Sequence, residues 1–124
     1  MTHLTKIAPK RLCLAALCLL AFAVPSFATQ TQAETEIKHL LDFIEGSGCT
    51  FIRNGSEHPA PEARSHMEMK YDYGKGRITK AEQFIAYVAS KSSLTGRPYR
   101  VRCEGREQPT SEWLSAELER YRKD

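Results

Sequence analysis

The chain has 124 residues, 41% hydrophobic and 27% charged, with 18 Lys+Arg against 15 Asp+Glu and a formal net charge of +3. One domain is expected at this length, since a single core rarely divides below about 250 residues. The composition excludes collagen-like, low-complexity and wholly disordered chains. The basic surplus raises nucleic acid or an anionic membrane as partners, and its position along the chain decides whether it counts.

Residues 1–11 carry Lys6, Lys10 and Arg11 and no acid. An apolar run of 13 residues follows from Leu12 to Val24, then Pro25-Ser26-Phe27-Ala28. A positive segment, a short apolar core and small residues at the last and third-last positions predict a secretory signal peptide cleaved after Ala28. The run is shorter than the roughly 20 residues that span a bilayer. No small residue precedes Cys13 or Cys18 as a lipoprotein anchor would need, and a buried helix here has no evident partner downstream.

Without residues 1–28, 96 residues remain, with 15 basic against 15 acidic side chains and only Cys49 and Cys103 as cysteines. Charge balance withdraws net charge as an argument for nucleic acid, and no stable membrane anchor is expected after cleavage. In an oxidising compartment the two cysteines predict one disulfide. It closes a loop of more than 50 residues, which in the chain-entropy picture contributes roughly 3–4 kcal/mol.

In chain order, residues 29–33 are polar and expected to fray. Ile37, Leu40, Leu41 and Ile44 recur at helical spacing over Glu34 to Glu45, ahead of Gly46 and Gly48. Cys49 to Arg53 is β-prone and stops at the turn signal Asn54-Gly55. Pro59 and Pro61 suit the first turn of a second helix running to about Tyr71, with Ala63, Met67 and Tyr71 along one side.

Thr79 and Glu82 predict a capping box. The helix behind it buries Ala81, Phe84, Ile85, Val88 and Ala89 and ends near Ser92-Ser93. Tyr99 to Cys103 alternates as a half-buried strand. A last helix from Ser111 to about Arg122 carries Trp113, Leu114, Leu118 and Tyr121. Cys49 opens one strand and Cys103 closes the other, so antiparallel pairing brings them together. The fold class is α+β, mostly helical, with about four helices, a short two-stranded antiparallel ribbon and no evident internal repeat. An all-α domain is the alternative.

His58, Glu62 and His66 stand four residues apart in succession, and two histidines with a carboxylate suit zinc or another transition metal. The prolines place His58 outside the helix, and the order differs from the His-Glu-x-x-His of metalloproteases. The plainer reading has Glu62 supporting the helix N-terminus, His66 pairing or packing, and His58 bonding turn amides. Ser90, Ser92, Ser93 and Thr95 cluster after the third helix, but no Gly-x-Ser-x-Gly elbow or Ser-x-x-Lys pair frames a nucleophile; turn formation accounts for them.

Arg97, Arg100, Arg102 and Arg106 make a basic stretch that could meet phosphate or lipid, yet Glu104, Glu107 and Glu112 follow at once and a solvated strand face explains it. Asn54-Gly55-Ser56 fits a glycosylation acceptor, whose meaning depends on the host.

Several segments together carry a resemblance. Phe51-Ile52-Arg53-Asn54-Gly55 with His58, Glu62-Ala63 with His66, Ala81-Glu82-Gln83-Phe84-Ile85, and Ala89-Ser90 with Ser92-Ser93, Thr95-Gly96 and Pro98-Tyr99 resemble the YfeK-like family of small exported bacterial proteins of unknown function. The match runs from about Phe51 to Val101, roughly half of the 96 residues, with Trp113-Leu114 as a weaker echo. The resemblance implies a periplasmic location, which makes the glycosylation pattern incidental, and carries over no activity. It also implies a shared polar site at Arg53, Asn54, His58, Glu62, His66, Ser92 and Ser93. Cys49 and Cys103 are not part of the family pattern, so a disulfide would be a local elaboration.

The expectation is therefore a non-catalytic binding or interaction module of the bacterial envelope, with no cofactor and an envelope protein or small ligand as partner. A metal site at His58, Glu62 and His66 is the alternative, and a serine or histidine hydrolase the third reading.

Overall fold

The computed structural model describes residues 30–124; the expected signal peptide and its cleavage point lie outside them. Helix α1 (Gln32–Gly46) buries Ile37, Leu40, Leu41 and Ile44, the stripe its periodicity predicts. It begins earlier than expected because Thr31 Oγ1 accepts from the Glu34 amide at 3.1 Å while Glu34 Oε2 accepts from the Thr31 amide at 2.8 Å. This reciprocal cap orders residues expected to fray.

Strands β1 (Thr50–Arg53) and β2 (Ser56–Pro59) form a hairpin, helix α2 spans Ala60–Gly74, and a 3-10 turn covers Lys75–Arg77. Helix α3 (Ala81–Tyr87) precedes a second hairpin, β3 (Arg100–Cys103) with β4 (Arg106–Pro109), and α4 (Thr110–Lys123) closes the order. The described residues are α+β and mostly helical, with four principal helices.

The predicted box at Thr79 and Glu82 does not form. Helix α3 starts after Lys80, so its third position is Gln83, whose Oε1 accepts from the Thr79 and Lys80 amides at 2.7 and 3.2 Å. Glu82 points outward instead, to Arg122.

The four strands form one antiparallel sheet in the order β2-β1-β3-β4. Its central pairing, β1 with β3, is the antiparallel one that the cysteines predict, and Cys49 is bonded to Cys103 with Cα atoms 4.7 Å apart. The sheet is twice as wide as a single ribbon because each inner strand turns back on itself. Both turns hold two residues at positive φ, Asn54 and Gly55 at 51° and 80°, Glu104 and Gly105 at 51° and 78°. That is the requirement of a two-residue hairpin whose twist matches its strands.

The chain contains an internal repeat that its sequence conceals. β3, β4 and the start of α4 lie 50 residues after β1, β2 and the start of α2. Gly55, Glu57, Pro59 and Glu62 recur as Gly105, Glu107, Pro109 and Glu112. The α3 segment buries Ala81, Phe84, Ile85 and Val88 at the same spacing as the α1 stripe. The period is hidden because residues 47–49 join α1 to β1, whereas the longer segment 88–99 joins α3 to β3.

Phe51 pairs with Val101, its own equivalent in the other repeat, so an approximate two-fold axis passes between them. Alternation along the strands turns Phe51 and Val101 toward the helices, where both are buried. The opposite face carries Arg102 paired to Glu57 at 2.6 Å and Arg100 to Glu107 at 2.8 Å. Arg100 and Arg102 thus lie on a solvated strand face, as their alternation predicts.

Candidate functional site

The two-fold axis gives the ends of the β1–β3 ladder equivalent surroundings and different chemistry. Cys49 and Cys103 close one end covalently. Adding 50 to one and subtracting it from the other places Tyr99 and Arg53 at the opposite end, where both line a recess and the broader cleft outside it.

The recess is small, about 30 Å³, and is lined by apolar Phe51, Ile52, Ala63 and Met67 together with Arg53, His58, Glu62, His66 and Tyr99. Its existence follows from one difference between the repeats. Ala63 is the counterpart of Trp113, whose indole packs against Phe43 and Phe51 with ring centroids 4.5 and 5.6 Å away. A methyl group stands in α2 where α4 carries an indole. The cleft outside is about 450 Å³ and is lined by Arg53, Asn54, His66, Lys70, Ser92 and Tyr99, among others, with no acid.

Tyr99 organises the cationic side. Its ring is buried, and its hydroxyl meets Lys70 Nζ at 3.2 Å and His66 Nε2 at 3.4 Å. Lys70 also donates to the Val88 and Lys91 carbonyls at 2.8 and 3.2 Å, so its charge is fixed in place. Burial, reinforced by Arg53, lowers the Lys70 pKa below the ordinary lysine value. Burial likewise lowers the His66 pKa, with Arg53, Lys70 and His58 adding to it. The Tyr99 hydroxyl is raised by burial, against the pull of Arg53. Arg53 is half-buried and forms no ion pair or side-chain hydrogen bond among the described residues. The donors of its guanidinium fork are therefore available to a ligand.

The sequence-predicted residues divide between this cleft and its supports. Asn54 and Ser92 build its wall: Asn54 Nδ2 donates to Ser92 Oγ at 3.2 Å, and the Leu94 and Thr95 amides donate to the same oxygen at 3.3 Å. Thr95 Oγ1 donates to Asn54 Oδ1 at 2.6 Å, which fastens the first hairpin turn to the 92–95 turn. Ser92 Oγ has no histidine among its partners, and Ser93 lies exposed at the cleft edge.

The His58, Glu62, His66 set does not assemble as a metal centre. His58 sits on β2, outside α2, and its Nδ1 meets Glu62 Oε1 at 2.8 Å, while His66 turns to Tyr99. Among the described residues no three His, Cys, Asp or Glu side chains are gathered as a metal ion needs. His58 Nε2 is buried without a hydrogen-bond partner.

Sequence reasoning missed Lys70 and Tyr99 as site residues. Lys70 follows His66 by one helical turn, a spacing that signals a shared face. Tyr99 gave no such signal, because only the sheet register brings it to Arg53.

The family model described as "Family of unknown function (DUF5329)" matches residues 31–122. The chain belongs to this family. It is 40% identical over 86 residues to "Uncharacterized protein YfeK" of Salmonella typhimurium, covering 68% of this chain and 72% of that protein. The resemblance to YfeK-like proteins is therefore established, and the family match extends through α1 and α4, beyond the segments that first carried it. No solved structure matches.

Proposed function

We propose that this protein is a small non-catalytic binding module of the bacterial envelope that holds an anion-bearing small ligand in the Arg53 cleft. The observation that carries this reading is a half-buried arginine without an acidic partner, beside Lys70 and His66, in a cleft whose lining contains no acid. Like charges held together in a partly desolvated site repel one another, and an anion relieves that repulsion while using the arginine fork. A cleft of about 450 Å³ is of the size that small ligands occupy. The envelope location rests on the pattern of residues 1–28 and on a disulfide, which persists in oxidising compartments.

Titration of the 30–124 domain with acetate and with inorganic phosphate, followed by NMR, tests the reading. The Arg53 Nε–H and His66 ring signals are expected to shift saturably for one of the two ions. Arg53→Gln weakens that binding by about tenfold or more, the scale of a charge-assisted hydrogen bond. Absence of any saturable shift with either ion overturns the proposal. Hydrolytic turnover that disappears in Ser92→Ala or His66→Ala overturns its non-catalytic part.

A further inference from the structure

The charges that balance across residues 29–124 are not evenly placed. Residues 73–103 hold seven cations, Lys75, Arg77, Lys80, Lys91, Arg97, Arg100 and Arg102, against the single acid Glu82. Arg100 and Arg102 are paired to acids on the sheet face. Among the described residues Lys75, Arg77, Lys80, Lys91 and Arg97 are exposed and enter no ion pair. They do not all share one side: Lys75 borders a cleft with Glu34, Glu68 and Asp72, whereas Arg77 lines a groove with Lys70, and Lys91 and Arg97 lie next to it through backbone contacts with Lys70 and Ser92.

Beside Arg77, Lys91 and Arg97 stand large apolar side chains that folding leaves in water. Tyr73 is 97% exposed, Leu94 95%, Tyr87 66% and Met69 63%. Met69, Tyr73 and Tyr87, from the ends of α2 and α3, meet around one groove, and Leu94 in the 92–95 turn lines the neighbouring cleft. Arg77, Lys70 and Ser93 also line the groove, and Lys70 and Ser93 border the cleft as well.

We infer that this face docks on an anionic lipid surface. Protruding apolar and tyrosine side chains among unpaired cations provide two complementary attractions. The side chains enter the boundary between headgroups and acyl chains, where tyrosine is favoured. The lysines and arginines meet the negative surface potential. A fluid surface also accommodates long, individually mobile cations that have no fixed partner geometry. Among the described residues no helix is long and apolar enough to cross a membrane.

Cosedimentation of the 30–124 domain, which contains every described helix and strand, with lipid vesicles tests the inference. Binding is expected to vesicles containing phosphatidylglycerol, with little to pure phosphatidylcholine and a steep fall at high salt. The double variant Tyr73→Ser/Tyr87→Ser lowers partitioning by about tenfold or more. Arg77→Gln and Lys91→Gln each lower it by about fivefold, as expected per surface charge.

These positions are exposed, and an unchanged thermal melt verifies that the variants fold. Arg53→Gln leaves vesicle binding in place, so the docking face and the ligand cleft stand or fall separately. Three outcomes overturn the inference: no binding to anionic vesicles, binding undiminished in the double variant, or a concentration-dependent dimer that the double variant abolishes.

Discussion

Arg122 on α4 grips Glu36 on α1 with two guanidinium nitrogens, at 2.6 and 3.0 Å, and reaches Glu82 on α3 as well. Glu36 is buried in the α1 face while Arg122 stays 40% exposed, so one residue ties three helices together. The carboxylates hold the Arg122 pKa above the ordinary arginine value. Arg122→Met leaves the Glu36 carboxylate buried without its counter-ion. The expected loss is about 1–3 kcal/mol, below the range for a fully buried pair because the guanidinium is partly solvated. Urea denaturation measures it, and adding Glu36→Gln recovers part of the loss.

The Cys49–Cys103 bond spans 54 residues. In the chain-entropy picture a loop of that length contributes about 4 kcal/mol through the unfolded chain. Cys49→Ala/Cys103→Ala is expected to lower stability by about that amount and to leave the Arg53 cleft at the other end of the ladder formed. A thiol count on unreduced protein, expected to find no reactive thiol at either position, checks the bond. Comparison of the two denaturation midpoints checks its energy.

His66 supplies a pH dependence of definite sign. Its pKa is lowered in the folded protein by burial and by Arg53, Lys70 and His58, so the unfolded chain binds the proton more readily. The His66 contribution to stability is therefore complete above the unfolded value near 6.5 and is lost as pH falls through the lowered folded value. His66→Gln is expected to flatten the stability profile across that window, read from thermal melts between about pH 7 and 5. An anion in the cleft favours the charged ring, so binding takes up a proton and strengthens as pH falls.

Much of the fold was legible because local periodicity and burial agree. The α1 stripe, the Ala81 to Ala89 face and the Tyr99 to Cys103 alternation all report directly which side chains leave water. The second turn was not legible, because Glu104-Gly105 lacks the Asn-Gly signature although its backbone adopts the same positive φ values. The Thr79 cap failed because a one-residue shift of the helix start exchanges Glu82 for Gln83 as the residue that reaches back.

Within the candidate site, Asn54 and Ser92 meet as parts of one wall, whereas His58 and His66 point to different partners. Helical spacing cannot join His58 to His66 when a strand end and Pro59 separate them.

By itself the sequence determined the α+β class, the antiparallel arrangement of the cysteine strands and the main core faces. Those depend on local hydrophobic patterning and on the short reach of a disulfide. Tertiary structure alone decided that the strands form two repeated hairpins about an approximate two-fold axis. It also decided that one end of the central ladder is sealed by a disulfide while the other opens at Arg53 and Tyr99. The physical reason is that register and packing bring together residues far apart in the chain. A single exchange, Trp113 in one repeat for Ala63 in the other, then leaves a recess that no local pattern records.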